Sequence, residues 1–371
     1  MRRRCLGGDH MSWNSWDTAR CIKSQDADCT NILVPLLDPL CFGGCSRAVP
    51  FVTGIELHGV DDEMVMEGCT RGTGRSFEEE YYELRFVLHG RGVMKYVGKD
   101  VEDEVIHPGD AILCKHGSVL FDVCTPGVGG DGEHERLMAW DMTTFVVYIP
   151  KKVLESRTLG DGEVFGDCTQ FAQEVLWPGE PCARGISQVI SPDVLDGLLC
   201  GPKMVETSLP VADVIQSDDE DGVDQQGGDF TALRKTLSDV STFMLPNQTN
   251  RLALMFDPFA NTPIPFVFGV EIFEPGHKTT PHVHTGAYEV FFILSGNGYG
   301  FCGTERFPVG PGDIVAFHPG STHGIDNGLD QRMYCIEVML PDEDFAEFVR
   351  QGRVDSLGDD DLCVLTRVGC S

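Results

Sequence analysis

Four residues in the last third of the chain have the types and spacing of a metal-binding set: His282, His284, Glu289 and His323. Alternate residues of a β-strand point to the same face, so His282 and His284 would present both imidazoles to one side. Three neutral imidazole nitrogens and one carboxylate suit a divalent transition metal and leave coordination positions open for water or substrate. The spacing therefore predicts a metal site.

The residues around these four match the two signature motifs of the cupin superfamily. The first motif is G-x5-HxH-x4-E-x6-G, and residues 276–296 fit each of its fixed positions. The second is G-x5-PxG-x2-H-x3-N, and residues 312–327 fit it except that His318 replaces the first proline. The chain thus resembles a cupin. The resemblance implies a jelly-roll barrel with the four candidate ligands pointing into it.

A degenerate copy of the same pattern lies upstream. The matching segments are 50–58 with 265–273, 83–90 with 289–296, and 108–112 with 311–315. Two copies so far apart indicate a duplicated domain, because solenoid repeats are shorter. By the same counting, the upstream copy has Ser76 and Glu78 at the paired histidines and Leu120 at the last histidine. Glu83 alone remains of the ligand set, so this copy is predicted to be structural.

Both copies consist of short apolar segments separated by Gly, Pro and Asp, which is typical of a sandwich or barrel. With the resemblance, this predicts an all-β protein of two double-stranded β-helix (jelly-roll, cupin) barrels with a few short helices. The predicted order is an N-terminal extension (1–44), a degenerate cupin barrel without metal ligands (45–150), a connecting segment (151–245) with an acidic linker (213–230), a metal-binding cupin barrel (246–345), and a C-terminal helix and tail (346–371).

Further predictions concern the surroundings of the site. Phe291 and Ile293 share the parity of Glu289, so they should point into the barrel and, with Phe301, either line a pocket or fill the core. The acid or base candidates are Tyr288, His277, Glu271 and His318, with Tyr299 or Tyr334 for a lyase. Tyr288 directly precedes a ligand and should point outward. Residues 342–352 predict a short helix capped by Asp342, with Phe345, Phe348 and Val349 on its apolar face, and residues 362–368 predict an edge strand.

The amino-acid composition of the chain argues against some classes of binding partner. The chain has 28 basic and 58 acidic residues, a formal net charge of -30, which argues against nucleic acid and membrane surfaces as partners. No apolar run reaches the length of a membrane span. The 15 cysteines include no CxxC pair, and no apolar signal core follows the basic start. Reduced thiols and a cytoplasmic location are expected, with organellar import left open.

The fold alone does not decide what the metal does. The resemblance implies a metal-dependent enzyme acting on a small polar molecule, foremost a dioxygenase-type oxidoreductase. It would hold one divalent metal ion per chain, iron (Fe2+) or manganese (Mn2+), with Zn2+ and Ni2+ as other candidates. The alternatives are a Mn-dependent decarboxylase or lyase, and a non-catalytic cupin that binds or senses a small molecule. A small-molecule substrate is the expected partner, and a homodimer is left open.

Overall fold

The computed structural model of the chain describes residues 11–15, 20–23, 32–40, 48–58, 80–123, 142–155, 168–176, 181–185, 232–259 and 264–366. Ser76, Glu78, the predicted linker 213–230 and the end of the predicted strand 362–368 lie outside these ranges.

Twenty-three strands and four helices are described below in chain order. The first part of the chain contains β1 (Met11–Ser15), β2 (Arg20–Lys23), β3 (Ile32–Leu37), β4 (Val52–His58), β5 (Tyr81–Gly90), β6 (Gly92–Tyr96), β7 (Glu104–Ile106), β8 (Ala111–Lys115), β9 (Val119–Val123), β10 (Met142–Pro150), α1 (Lys151–Glu155), α2 (Thr169–Leu176) and β11 (Pro181–Gly185). The second part contains β12 (Ala232–Lys235), β13 (Thr242–Met244), β14 (Arg251–Phe256), β15 (Val267–Phe273), β16 (His282–Val283), β17 (Tyr288–Ser295), β18 (Gly298–Cys302), β19 (Glu305–Val309), β20 (Asp313–Phe317), β21 (Thr322–Asp326), β22 (Met333–Leu340), α3 (Phe345–Arg350), β23 (Arg353–Asp355) and α4 (Asp359–Thr366).

The strands form two barrels with one plan. The first barrel has an eight-stranded sheet in the order β12-β8-β5-β10-β4-β3-β2-β11 and a three-stranded sheet β7-β6-β9. The second has β1-β20-β17-β22-β15-β14-β13-β23 and a four-stranded sheet β16-β21-β18-β19. Each position in the first large sheet has a counterpart at the same position in the second. The prediction of an all-β protein of two jelly-roll barrels with a few short helices is confirmed.

The two barrels exchange their edge strands. β12 lies just before the second barrel in sequence but pairs antiparallel with β8 of the first. β1 lies before the first barrel but pairs antiparallel with β20 of the second, where Met11 is buried in the barrel interior. Pairing satisfies the backbone groups that a free sheet edge would expose. Each barrel is therefore completed by residues that precede the other.

A shared apolar core joins the two large sheets. On β17, Phe292 and its alternate neighbours face the first barrel, whereas Phe291 faces the interior of the second. The Phe292 ring stacks on Phe145 of β10 with a centroid distance of 4.9 Å and an interplanar angle of 22°. A strand covered on both faces is apolar at both parities. This explains why the strands of the large sheets lack polar alternation.

The predicted helix at residues 342–352 is present as α3. The N-cap residue is Asp344, not Asp342 as predicted, and it makes no side-chain cap bond, but the Asp342 carboxylate accepts the backbone N–H of Ala346 at 2.7 Å. The predicted apolar face was partly wrong: Ala346 and Val349 are buried, but Phe348 is 37% exposed.

The predicted edge strand at residues 362–368 was wrong, because residues 359–366 form the helix α4. Asp361, 1% exposed, accepts hydrogen bonds from Arg251 at 3.0 Å and from Tyr334 at 3.0 Å, which attaches the helix to the second barrel. Three acidic residues in the first turn also favour a helix N-terminus.

The state of the cysteines agrees only in part with the prediction. Cys114, Cys302 and Cys335 are free thiols, as expected, but Cys363 is disulfide-bonded, so the expectation of reduced thiols was wrong at that position.

Within the described ranges, none of the helices has the length and apolarity to cross a bilayer.

Candidate metal centre

Antiparallel pairing brings the four predicted ligands together inside the second barrel. His282 on β16 lies directly opposite His323 on β21, and Glu289 stands on the facing sheet in β17. His284 follows β16 on the same parity as His282. One candidate ligand atom from each residue lies within 4.8 Å of all the others. Among the described residues, this is the one group of three or more His, Cys, Asp or Glu side chains close enough to hold a metal ion.

The Glu289 carboxylate is the centre of the cluster. Its Oε2 lies 2.7 Å from His323 Nε2 and 3.7 Å from His282 Nε2, and its Oε1 lies 3.8 Å from His284 Nε2. The Nε2 atom of His284 is buried and has no hydrogen-bond partner within the described part of the chain. A buried nitrogen without a partner is costly, and a metal ion would relieve that cost.

The backbone selects the tautomer of two of the imidazoles. His282 Nδ1 lies 3.0 Å from the Thr280 carbonyl oxygen, and His323 Nδ1 lies 2.8 Å from the Ser321 carbonyl oxygen. A carbonyl can only accept, so Nδ1 carries a proton in both rings, and a metal that replaced the contact with the Glu289 carboxylate would meet the lone pair of Nε2. This is the tautomer that a metal requires of an Nε2 ligand, and such partners also orient the ring. The donor set therefore fits a divalent transition metal.

One side of the cluster is buried, and the other is exposed to solvent. The side chains of His323 and Glu289 are 1% and 4% exposed, whereas that of His282 is 37% exposed. The Phe317 ring stacks on His323 with a centroid distance of 4.4 Å and an interplanar angle of 12°. A small molecule could therefore approach along the His282 edge, while the apolar wall at Phe317 fixes the opposite side.

The charges of the cluster are mutually dependent. Burial raises the pKa of Glu289, but the favourable interactions with the three facing histidines outweigh burial and hold its pKa well below the ordinary value. Burial lowers the pKa of His282, but Glu289 outweighs it and the net pKa is raised. Glu289 is thus an anion at neutral pH, as a ligand must be.

Two more carboxyl groups lie in the barrel interior. Burial raises the pKa of Glu271 to about 8, and the Glu289 charge contributes to the rise. Burial raises the pKa of Glu337 well above its ordinary value, with further contributions from Glu271 and Glu289. Burial therefore favours the neutral form of both carboxyl groups. Glu337 was missed at the sequence level, although a single carboxylate in the otherwise apolar strand β22 was an available signal.

The predicted pocket residues divide into two groups. Phe291 and Ile293 are buried in the interior core of the second barrel, on the side predicted. Phe301 does not join them. It pairs with Gly324 and Arg306 on the outward parity of β18, whereas Cys302, opposite His323, is on the inward parity. The placement of Phe301 beside the pocket was wrong, because a one-residue step along a strand reverses the face.

Most of the acid or base candidates lie away from the cluster. Tyr288 faces the first barrel, as its parity predicted, and its ring packs beside His318, whose Nε2 lies 2.8 Å from the Ser12 hydroxyl. Tyr334 donates to Asp361, and Tyr299 is exposed under Arg306. His277 lies between the hydroxyls of Thr249 and Thr279. Glu271 is the candidate that the structure places with the ligands, since its charge interacts with both Glu289 and His282.

The first barrel has no equivalent cluster within its described residues. Leu120, the counted equivalent of His323, is 56% exposed, and the inward neighbours on β9 are Val119 and Phe121. Glu83, the equivalent of Glu289, is buried and bonds to Arg85 instead.

Comparison with known proteins agrees with this geometry. The family model of the cupin domain (Cupin_2) matches residues 269–339, which contain the whole cluster. No curated protein matches the chain in sequence.

Similar solved structures share low sequence identity with the chain. They include the Ylba protein of E. coli (13% identity, 91% of this chain and 94% of that one, TM-score 0.49), a 7S globulin of Momordica charantia (12%, 89% and 84%, TM-score 0.44), and a predicted oxalate decarboxylase of Thermotoga maritima (20%, 28% and 96%, TM-score 0.26). Residues 269–339 carry the ligand motifs and match the cupin model, and the upstream barrel repeats the same strand order. Residues 269–339, which hold the four-residue cluster, therefore match a cupin domain, and the two barrels share the all-β fold of that domain.

Proposed function

We propose that the chain is a metal-dependent enzyme whose second barrel binds one divalent transition metal through His282, His284, Glu289 and His323. One observation carries the proposal. A buried carboxylate and three imidazoles converge within 4.8 Å, and the buried Nε2 of His284 has no partner among the described residues. Bound Fe2+ or Mn2+ would supply a Lewis-acidic, redox-capable centre with open coordination positions.

The protein groups around the cluster indicate a small substrate. Phe273, Phe291 and Phe317 occupy the barrel interior behind the ligands, so little space remains on that side. The exposed edge at His282 is the side from which a molecule can enter. A rigid, apolar wall excludes water and strengthens polar contacts made in front of it.

The charge of the site favours an anionic substrate group. Burial raises the pKa of Glu271 and of Glu337, which favours the neutral form of each carboxyl group. A divalent ion beside one ionised carboxylate, Glu289, leaves a net positive site. A small acid or a catecholate fits this charge, and we propose an oxidoreductase of the dioxygenase type acting on such a molecule.

The test is an oxygen-consumption screen on the full chain. Protein purified without chelator or nickel resin is loaded separately with Fe2+ and Mn2+ under argon and then mixed with oxygenated small carboxylic acids and catechols. The proposal predicts oxygen uptake that requires metal and one class of acid, and that is lost in Glu289→Gln. Glu305→Gln, an exposed change on β19, is the matched control.

Two results would contradict the proposal. Release of carbon dioxide without oxygen uptake would assign a decarboxylase instead. Tight binding of an acid by the metal-loaded protein without turnover would assign a binding or sensing module.

A further inference from the structure

One imidazole of the cluster faces a side chain rather than a backbone carbonyl. His284 Nδ1 lies 3.8 Å from Oε2 of Glu343, and 28% of the Glu343 side chain is exposed. His282 and His323 have carbonyl partners two residues away in sequence. The carboxylate that His284 Nδ1 faces, at 3.8 Å and so beyond direct hydrogen-bond distance, instead belongs to the turn that follows the last barrel strand, β22. This turn was not recognised as part of the site from the sequence.

The other oxygen of Glu343 is fixed by the loop that carries His284. Its Oε1 accepts the backbone N–H groups of Thr285 and Gly286, each at 3.0 Å, and the Thr285 hydroxyl. With one oxygen held in this way, the second is directed towards the imidazole. The carboxylate therefore links the residues just after His284 to the turn before α3.

The backbone of this turn is strained. Glu343 and Asp344 have φ values of 46° and 64°, in the left-handed region that residues with a side chain rarely adopt. Each costs about 1–2 kcal/mol, and such strain clusters at sites where it positions functional groups. The next residue, Phe345, meets the edge of the His284 ring at a centroid distance of 6.2 Å. The strained turn thus brings two side chains against one ligand.

We propose that Glu343 is a positioning residue that orients His284 and keeps its proton on Nδ1, so that Nε2 is available to the metal. This inference rests on the proposed metal-binding function. A carboxylate that accepts the second N–H of a ligating histidine fixes both tautomer and ring orientation, and its loss costs about 10–100-fold in metal affinity.

Two substitutions separate this role from simple support of the loop. In Glu343→Gln, the amide oxygen still accepts from Thr285 and Gly286, but its NH2 group faces Nδ1 of His284. That arrangement favours the tautomer with the proton on Nε2, which cannot bind a metal. Glu343→Ala loses the loop hydrogen bonds but leaves Nδ1 to water. Glu347→Gln, an exposed change on α3, is the control.

The measurement is Mn2+ affinity of the full chain, with free Mn2+ followed by electron paramagnetic resonance. The tautomer of His284 is read in parallel from imidazole 15N shifts of metal-free protein. We expect Glu343→Gln to bind Mn2+ about 10–100-fold more weakly than wild type and more weakly than Glu343→Ala. The 15N shifts should show that the proton has moved to Nε2.

Two results would overturn the inference. One is wild-type Mn2+ affinity in Glu343→Gln. The other is weaker Mn2+ binding by Glu343→Ala than by Glu343→Gln, because this is the order expected if Glu343 only supports the loop. Failure of wild type to bind Mn2+ would instead overturn the metal-binding proposal, and the 15N shifts would still report whether Glu343 sets the tautomer.

Discussion

The two barrels place a buried carboxylate at the same point but differ in how its charge is balanced. Glu289 in the second barrel faces three imidazoles, whereas Glu83 in the first lies 2.7 Å from the guanidinium of Arg85. Arg85 occupies the repeat position of Phe291, and it also bonds to Glu56, the counterpart of Glu271. Its guanidinium lies 4.6 Å above the Phe121 ring. The first barrel thus contains a covalently attached cation near the place where the second brings together its four candidate ligands.

This difference shows how a barrel with the same strand order can hold a buried carboxylate without the set of four candidate ligands. A buried carboxylate is costly unless a cation accompanies it. Burial raises the pKa of Glu83, but Arg85 and His116 outweigh burial and lower the pKa to about 2. Arg85 thus offsets buried carboxylate charge in the first barrel without any bound ion, whereas Glu289 in the second barrel has only imidazoles facing it.

Separating the barrels is the most drastic way to test their relationship. A fragment of residues 240–371 would lack β1 and expose the face around Phe292 that packs on Phe145. We expect it to aggregate or to dimerise through that face, as judged by size-exclusion chromatography and thermal unfolding. A soluble, monomeric, metal-loaded fragment as heat-stable as the full chain would show that the first barrel is an independent appendage.

Removing the internal cation of the first barrel should destabilise the protein. Arg85→Met leaves Glu56 and Glu83 buried without their guanidinium, so the free energy of unfolding should fall by about 3–5 kcal/mol. Arg306→Met, which removes a half-exposed partner of Asp326, should cost less than about 1 kcal/mol. Urea unfolding of the full chain measures both. Equal costs for the two variants would contradict the assigned role of Arg85.

The first barrel should also set the response to mild acid. Burial of His58 lowers its pKa to about 4, against the opposing attraction of Glu56. The unfolded chain gains this proton near its ordinary pKa of 6.5, so stability falls as pH drops from 6.5 to 4, by about 3 kcal/mol. Glu83 adds a second loss at lower pH, between its ordinary pKa of 4.5 and about 2.

The measurement is chemical unfolding of metal-free protein at several pH values. His58→Gln should flatten the profile between pH 6.5 and 4 and leave the lower loss in place. An unchanged slope in that variant would mean that another group causes the acid response.

Substitution of Glu289 should weaken metal binding, whereas substitution of Glu83, at the equivalent position of the first barrel, should lower stability. Glu289→Gln removes a ligand, and Mn2+ affinity should fall at least about 100-fold, or about 2.7 kcal/mol. Glu83→Gln should leave Mn2+ affinity unchanged but lower the free energy of unfolding by about 1.5–3 kcal/mol, because a charge-assisted bond to Arg85 is lost. Mn2+ titration and urea unfolding of each variant measure these two effects. A loss of Mn2+ binding in Glu83→Gln would contradict the predicted difference between the two carboxylates.

The sequence alone predicted which way a side chain points where only the alternation of side chains along one strand was needed. That alternation correctly placed Phe291 and Ile293 inside and Tyr288 outside. Counting from a motif failed at Leu120, where the count crossed a turn and was displaced by one residue.

Features that depend on distant partners could not be predicted in this way. The pairing of β1 with β20 joins segments about 300 residues apart in sequence, and nothing local in residues 11–15 specifies it. Glu343 resembles an ordinary acidic residue before a helix until the fold brings it to His284. The helix α4 was mistaken for a strand because Asp361 is stabilised by Arg251, more than a hundred residues upstream.

The number of metal ions per chain tests the central comparison most directly. Full-length protein purified without chelator or affinity nickel is saturated with Mn2+, freed of excess ion by gel filtration, and analysed for metal and protein. We expect one Mn2+ ion per wild-type chain and none in the double variant His282→Ala with His284→Ala. A ratio near two, or metal retained in the double variant, would contradict the assignment of a single metal centre to the second barrel.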